Sequence, residues 1–238
     1  MYEPNENSSE PLYVEDSHLK GFDARVVKAG PKFVILDRTA FYPESGGQPS
    51  DTGKITSAGG ENSVRKVMKR GKEIYHYLDG DIPVGTRVHG TIDWEPRHWN
   101  MRRHSGEHLL TGLFEKRGSG PKVYSDLERL DFKPSELDEE TVREVEADFN
   151  AIVDEDLQLR IYYTSREELD VGDDARKREF LAKIPRNIDR LRMVDIPGHA
   201  LTFCFGTHVG STGEIGRLAK LTFSKAKKGR KIVHFFLE

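Results

Sequence analysis

Residues 103–110 read Arg103-His104-Ser105-Gly106-Glu107-His108-Leu109-Leu110, inside a stretch from Glu95 to Lys116 with apolar residues at helical intervals. Upstream of Asp93 the chain reads as short strands, so its texture changes here. Asp93 or Trp94 stands near the N-cap, and Pro96 suits the first turn, where its missing N–H breaks no helical bond. Leu109, Leu110, Leu113 and Phe114 form the apolar stripe. His104 and His108, four apart, fall on one face a turn from each other. Gly106 weakens an isolated helix by about 1 kcal/mol relative to Ala, so it points to close packing or to access into a cleft.

Further along, Cys204-Phe205-Gly206-Thr207-His208 repeats the four-residue spacing. Cys204 is the only cysteine, so it forms no internal disulfide. Three imidazoles and a thiolate suit Zn2+, which prefers nitrogen and sulfur in tetrahedral geometry. Spacing alone leaves two readings open. One is a metal site assembled across the fold from His104, His108, Cys204 and His208. The other is a chance helical pair and a small buried cysteine. The metalloprotease pattern His-Glu-x-x-His does not fit, because Glu107 directly precedes His108 instead of following His104.

Upstream, Asp23 to Ala29 and Lys32 to Asp37 flank the turn signal Gly30-Pro31 and predict a hairpin. Lys54 to Ser57, Glu61 to Lys69, Glu73 to Leu78 and Thr86 to Trp94 follow as strands, with turns at Gly59-Gly60, Arg70-Gly71 and near Gly80 and Pro83. This pattern predicts a small β-barrel or sandwich. Thr39 to Gly53 is dense in glycine, proline and small polar residues, yet holds Phe41 and Tyr42. It reads either as a long surface turn or as a loop in which glycine lets backbone or Gln48 approach a ligand. Met1 to Glu10 reads as a flexible tail.

Downstream, Gly118 to Pro121 ends the helix and Val123 to Phe132 reads as extended. A second helix is expected over Glu140 to Leu157, where Val142, Val145, Phe149, Ile152 and Val153 recur at helical intervals. Gln158 to Thr164 reads as a strand. Ser165-Arg166-Glu167-Glu168 reads as a helix start with a capping box. Arg190 to Ile196 is a strand, and Leu201 to Phe205 brings up the cysteine. Leu218 to Ser224 and Lys231 to Leu237 predict an antiparallel pair around a basic turn. The expected fold class is α+β: an N-terminal β-barrel-like domain over 1–94, then an α+β domain over 95–238.

The 238 residues are 36% hydrophobic and 32% charged, which suits a soluble globular chain with a modest core. No apolar run approaches the ~18 residues of a membrane span. The polar, acidic N-terminus lacks a signal-peptide pattern. With one cysteine, this points to a reducing, cytoplasmic setting and no membrane partner. Oligomeric state is not legible, with a monomer as the default. Net charge is −3, so the chain is not a globally basic nucleic-acid binder. Its cations are nonetheless clustered. Arg217, Lys220, Lys225, Lys227, Lys228, Arg230 and Lys231 follow one another with no acid between them, and Arg97, His98, Arg102 and Arg103 precede the histidine pair. Such clusters are solvated surface or phosphate contacts.

Phe41-Tyr42-Pro-x-x-Gly46-Gly47-Gln48-Pro-x-Asp51-Thr-Gly53, Arg103-His104-x-x-x-His108-Leu-Leu, Arg129-Leu130-Asp131-Phe132, Cys204-x-Gly206-Thr207-His208-Val and Thr212-Gly213-Glu214-Ile215-Gly216 occur in that order. Taken together they resemble the editing module of alanyl-tRNA synthetase in its free-standing AlaX form, from about Lys20 to Glu238. The glycine-rich front motif resembles the medium-length class, AlaX-M. Phe205 departs from the family, which usually has glycine there, and a bulky ring beside a ligand position bears on substrate breadth.

The resemblance implies a small barrel followed by an editing domain shared with threonyl-tRNA synthetase. It also implies one Zn2+ held by His104, His108, Cys204 and His208. The implied activity is hydrolysis of tRNA(Ala) mischarged with serine or glycine, without ATP. His104 and Cys204 would act at the reacting centre. Thr39 would bond the serine hydroxyl with Gln48 nearby, and Gly46 and Gly47 would let backbone approach the substrate. Arg102, Arg103, Arg217, Lys220, Lys225, Lys227 and Lys228 are the candidate tRNA contacts. Two other readings are editing of Ser-tRNA(Thr) and a zinc-stabilised RNA-binding module without catalysis.

Overall fold

Apolar residues at every second position drive the first half of the chain into sheet. In Glu73–Leu78 the inward residues are Ile74, His76 and Leu78; in Arg87–Ile92 they are Val88, Gly90 and Ile92. The structure is a computed structural model that describes residues 9–123, 128–133, 135–169, 178, 181, 182, 184, 188 and 190–238. The front half holds β1 (Glu10–Pro11), α1 (Leu12–Glu15), β2 (Gly21–Gly30), β3 (Phe33–Leu36), β4 (Arg38–Thr39), β5 (Gly53–Ser57), β6 (Gly60–Arg70), β7 (Glu73–Leu78) and β8 (Arg87–Ile92). Six of these strands close into an antiparallel barrel in the order β2-β3-β7-β6-β5-β8. Closure removes free sheet edges, and Val26, Val34, Leu36, Ile55 and Val67 fill the inside.

The back half holds α2 (Trp94–Lys116), β9 (Lys122–Val123), β10 (Arg129–Phe132), α3 (Glu139–Asp154), β11 (Arg160–Ser165), β12 (Arg190–Ile196), β13 (Ala200–Phe203), α4 (Thr212–Ile215), β14 (Leu218–Lys225) and β15 (Lys231–Leu237). The strands form sheets in the orders β14-β15-β10-β9 and β11-β12-β13. A core of Met101, Leu109, Leu110 and Phe114 from α2, Val145 and Phe149 from α3, and Phe235 from β15 joins helices to sheet. The fold is thus α+β, a six-stranded barrel followed by helices on antiparallel sheets. No described helix is long and apolar enough to cross a membrane.

Several boundaries differ from the sequence reading for local reasons. Asp93 precedes α2 without capping it; its carboxylate instead accepts the Thr52 hydroxyl at 2.6 Å. α3 ends at Asp154, before Leu157, because Asp156 takes a left-handed φ of 50° and the Leu157 N–H is bound by Thr212 Oγ1 at 2.8 Å. The strand before the cysteine ends at Phe203, so Cys204 opens a loop. Residues 1–8 of the expected tail lie outside the described residues, while Glu10–Pro11 pairs in parallel with β4. The capping box forms, Ser165 and Glu168 each binding the other's backbone N–H at 3.1 Å; the helix expected after it lies largely outside the described residues. In the glycine-rich loop Phe41, Tyr42 and Gln48 are buried while Glu44, Ser45, Gly46 and Pro49 are exposed, so only its tip is a surface turn and the rest packs inward.

Candidate metal centre

Helical spacing on α2 sets the rings of His104 and His108 edge to face, with centroids 4.9 Å apart. The loop after β13 lays Cys204 and His208 against them, His208 at 4.3 Å from His104 and 4.6 Å from His108. Donor atoms of the four residues all lie within 4.8 Å of one another. Cys204 Sγ is 3.4 Å from Nε2 of both His104 and His208.

Neighbouring groups hold the rings of His104 and His208. Gln48 Oε1 accepts the Thr207 N–H at 3.2 Å, and Gln48 Nε2 donates to Thr207 Oγ1 at 2.7 Å, which fixes the amide's orientation. The same Oε1 meets His104 Nδ1 at 3.0 Å, so Nδ1 carries the proton and the Nε2 lone pair points at the cluster. Ser105 Oγ lies 3.0 Å from His208 Nδ1 and fixes that ring's position. A Cβ on Gly206 would overlap the His104 ring, so only glycine permits this approach. Arg192 fastens the loop, donating to the carbonyls of Cys204 at 2.7 Å, Gly206 at 3.1 Å and Val14 at 3.0 Å.

Burial holds the three imidazoles neutral, His108 down to about 4 and His104 and His208 well below their ordinary value. Burial also pushes the Cys204 thiol up to about 11. Neutral imidazoles are the form that ligates a cation, and a bound cation reverses the pressure on the thiol. His108 Nδ1 is buried with no partner among the described residues. A buried polar cluster left this open is costly unless a ligand completes it, so the donor set fits a soft or borderline metal ion.

The cluster opens into a cavity of about 360 Å³, whose walls include Tyr42, Ser45, Gly46, Glu107 and Thr111. Thr111 stands one turn beyond His108, and its buried hydroxyl has no partner among the described residues. Thr39 is fully buried in the front half and is not among the residues lining this cavity. His76 Nδ1 donates to the Val34 carbonyl at 3.3 Å, so His76 Nε2 accepts the Thr39 hydroxyl hydrogen at 2.8 Å. Thr39 Oγ1 also accepts the Phe41 N–H at 3.1 Å. Gly46 and Gly47 take positive φ of 56° and 93° at the loop tip.

The candidate tRNA contacts divide into two groups. Arg102 donates to the carbonyls of Ile215 at 2.8 Å and Glu238 at 2.7 Å, Arg103 pairs with Glu128 at 2.9 Å, and Arg217 with Asp154 at 2.6 Å. Lys220, Lys225, Lys227 and Lys228 are exposed on β14 and the turn after it.

Sequence reasoning missed Ser105, Thr207, Arg192 and the Asp51–Arg97 pair. Arg97 read as part of a basic surface cluster, but it is fully buried, and its Nε donates to Asp51 at 2.9 Å. One signal was available: Arg97 precedes His104 by seven residues, two helical turns, and so shares its inward face.

Comparison with known proteins places this geometry in context. Residues 5–96 match the family model described as tRNA synthetases class II (A), and residues 191–232 match the threonyl and alanyl tRNA synthetase second additional domain. The alanyl-tRNA editing protein AlaX-M of Methanosarcina barkeri is 35% identical, over 96% of this chain and 99% of the relative. AlaX-M of Saccharolobus solfataricus is 36% identical, over 95% and 98%. The alanine–tRNA ligase of Ignicoccus hospitalis is 39% identical over 94% of this chain, which spans only 25% of that enzyme's length.

Proposed function

The chain belongs to the AlaX-M alanyl-tRNA editing proteins, and from that premise we propose that it hydrolyses the ester joining a wrong amino acid to the 3′ end of tRNA(Ala), with Zn2+ as its metal. The observation that carries this reading is the His104, His108, Cys204 and His208 cluster, with its ring orientations set by Gln48 and Ser105, at the floor of a cavity sized for an amino acid. Bound there, Zn2+ would supply Lewis-acid polarisation of the ester carbonyl.

The chain's own residues perform the rest. Gln48 keeps the His104 proton on Nδ1. The need for editing is physical, because an alanine site cannot strongly reject serine, which only adds a hydroxyl, or the smaller glycine. The second site must therefore read that hydroxyl. Two side chains are proposed for this: Thr39, which the family resemblance implies, and Thr111, favoured by its unpartnered hydroxyl in the cavity wall. Because Thr39 gives its hydrogen to His76, it would have to accept from serine rather than donate. The exposed Lys220, Lys225, Lys227 and Lys228 suit phosphate contacts, whereas Arg102, Arg103 and Arg217 would first have to leave their present partners.

The test compares hydrolysis of Ser-tRNA(Ala), Gly-tRNA(Ala) and Ser-tRNA(Thr) by the zinc-loaded protein. Turnover of the tRNA(Ala) substrates with Ser-tRNA(Thr) spared is expected. Preferential loss of Ser-tRNA(Thr) would move the assignment to the threonine branch, and loss of none would contradict catalysis. Thr111→Val and Thr39→Val, assayed on Ser-tRNA(Ala), identify which threonine reads the hydroxyl.

A further inference from the structure

The outer wall of the barrel carries two cross-strand pairs side by side. Asp23 on β2 stands opposite His89 on β8, and Arg25 stands opposite Arg87. The first pair is complementary, with His89 Nδ1 2.8 Å from Asp23 Oδ1. The second sets like charges directly against each other, an arrangement that weakens a sheet. Both arginines are exposed, and no carboxylate pairs with either among the described residues. Arg38 from β4 joins them around a depression of about 480 Å³. Asp37 lines it too, but its Oδ1 is turned onto the backbone, accepting the N–H groups of Arg25 at 2.8 Å and Arg38 at 2.9 Å. The Arg38 side chain faces Glu10 at 3.7 Å. Glu10 in turn lines a cavity that shares Tyr42, Ser45 and Phe205 with the metal cavity. The three arginines are therefore one cavity removed from the metal centre.

Resting on the editing reading above, we propose that Arg25, Arg87 and Arg38 form a phosphate clamp on the barrel wall that holds the RNA backbone of the substrate, apart from the basic turn between β14 and β15. A chain of net charge −3 can hold a polyanion only where its cations are gathered and left unpaired. Arg25 and Arg87 meet both conditions, and the repulsion between them is relieved when an anion sits between the two guanidiniums. Arginine suits the task, because its planar fork of N–H groups matches phosphate oxygens in pairs. Such contacts carry no sequence information and serve to fix register and orientation. That is what a site acting on one ester at the end of a long RNA needs from a wall beside it. Three separate segments supply one arginine each, so no run of cations marks the clamp in the sequence.

The test measures binding of uncharged tRNA(Ala) to the zinc-loaded protein across a salt series. Arg25→Gln and Arg87→Gln should each lower the salt slope by about one, and the double variant by about two, with zinc content unchanged. Lys54→Gln is the control on the same barrel, because Lys54 is already paired with Glu61 at 2.8 Å; its slope should match the wild type. Slopes unmoved by the arginine substitutions, or moved equally by Lys54→Gln, overturn the clamp. Inorganic phosphate is titrated in parallel. Phosphate binding that depends on Arg25 and Arg87 while the tRNA slope ignores both means an adventitious ion only, and also overturns it. Hydrolysis of Ser-tRNA(Ala) is followed in the same samples. Hydrolysis with unaltered slopes refutes the clamp and leaves the editing reading intact. Lowered slopes with no hydrolysis of any aminoacyl-tRNA support the clamp and contradict the editing reading instead.

Discussion

Helix α2 carries two buried polar clusters on one face, two turns apart, and they are opposites. Around Arg97 every donor group is bound: the Asp51 carboxylate, the Ser17 carbonyl at 2.9 Å and the Ala40 carbonyl at 2.5 Å. Asp51 also accepts the Tyr42 N–H at 2.6 Å. Around His104 and His108 the donors converge on one another, and His108 Nδ1 has no partner among the described residues. A closed polar network fixes how parts of the chain sit together; an open one marks where a ligand completes the structure. The glycine-rich loop touches both, sending Asp51 to the first and Gln48 to the second. One loop therefore seats the barrel on α2 and orients a metal-facing imidazole.

The difference is broken most forcefully at Arg97. Arg97→Ala leaves the Asp51 carboxylate buried and unpaired, and should cost about 3–5 kcal/mol in urea unfolding. Replacing both partners with apolar residues of similar size should recover much of that loss. If Arg97→Ala unfolds like the wild type, the pair is not a structural clamp.

His76 sharpens the contrast, because it is a buried histidine closed by protein groups alone. Burial lowers its pKa from the ordinary 6.5 to about 4. The folded value lies below the unfolded one, so this contribution is fully present above pH 6.5 and is lost as pH falls toward 4. Its size is about 3 kcal/mol. His76→Gln, followed by unfolding across that window, should show correspondingly less acid destabilisation than the wild type; parallel curves would count against the assignment.

A smaller effect is expected at Gln48. Its carbonyl orients His104 without being one of the four donor residues, so Gln48→Ala should weaken zinc affinity about 10–100-fold, as loss of an outer-shell partner does. Competition with a chromophoric chelator measures it, and unchanged affinity would remove Gln48 from the metal's support. The smallest change is expected outside both clusters. Lys227→Ala or Lys228→Ala should lower the salt slope of tRNA binding by about one each, and an unaltered slope would take the basic turn off the interface.

The same contrast explains what could be read in the sequence. Periodicity revealed the barrel strands, α2 and α3, because burial on one face repeats locally along the chain. The four-residue spacings exposed the quartet, since each donor pair sits on one local segment. Asp51, Ser105, Thr207 and Arg192 carried no such local signal. Their partners lie far away in sequence, as Gln48 is from Thr207, and only packing brings them together. Arg97 misled because a run of cations resembles surface, although its helical phase matches that of His104. The left-handed Asp156 likewise ends α3 early, and the next residue, Leu157, gives its N–H to Thr212 Oγ1, which no spacing predicts.

The most direct test of the account is deacylation of Ser-tRNA(Ala) and Ala-tRNA(Ala) side by side, with the protein as purified, after chelation and after return of Zn2+. The account predicts loss of serine only, abolished by the chelator and restored by zinc. Equal hydrolysis of both substrates, or serine release untouched by removal of the metal from a folded protein, would contradict it.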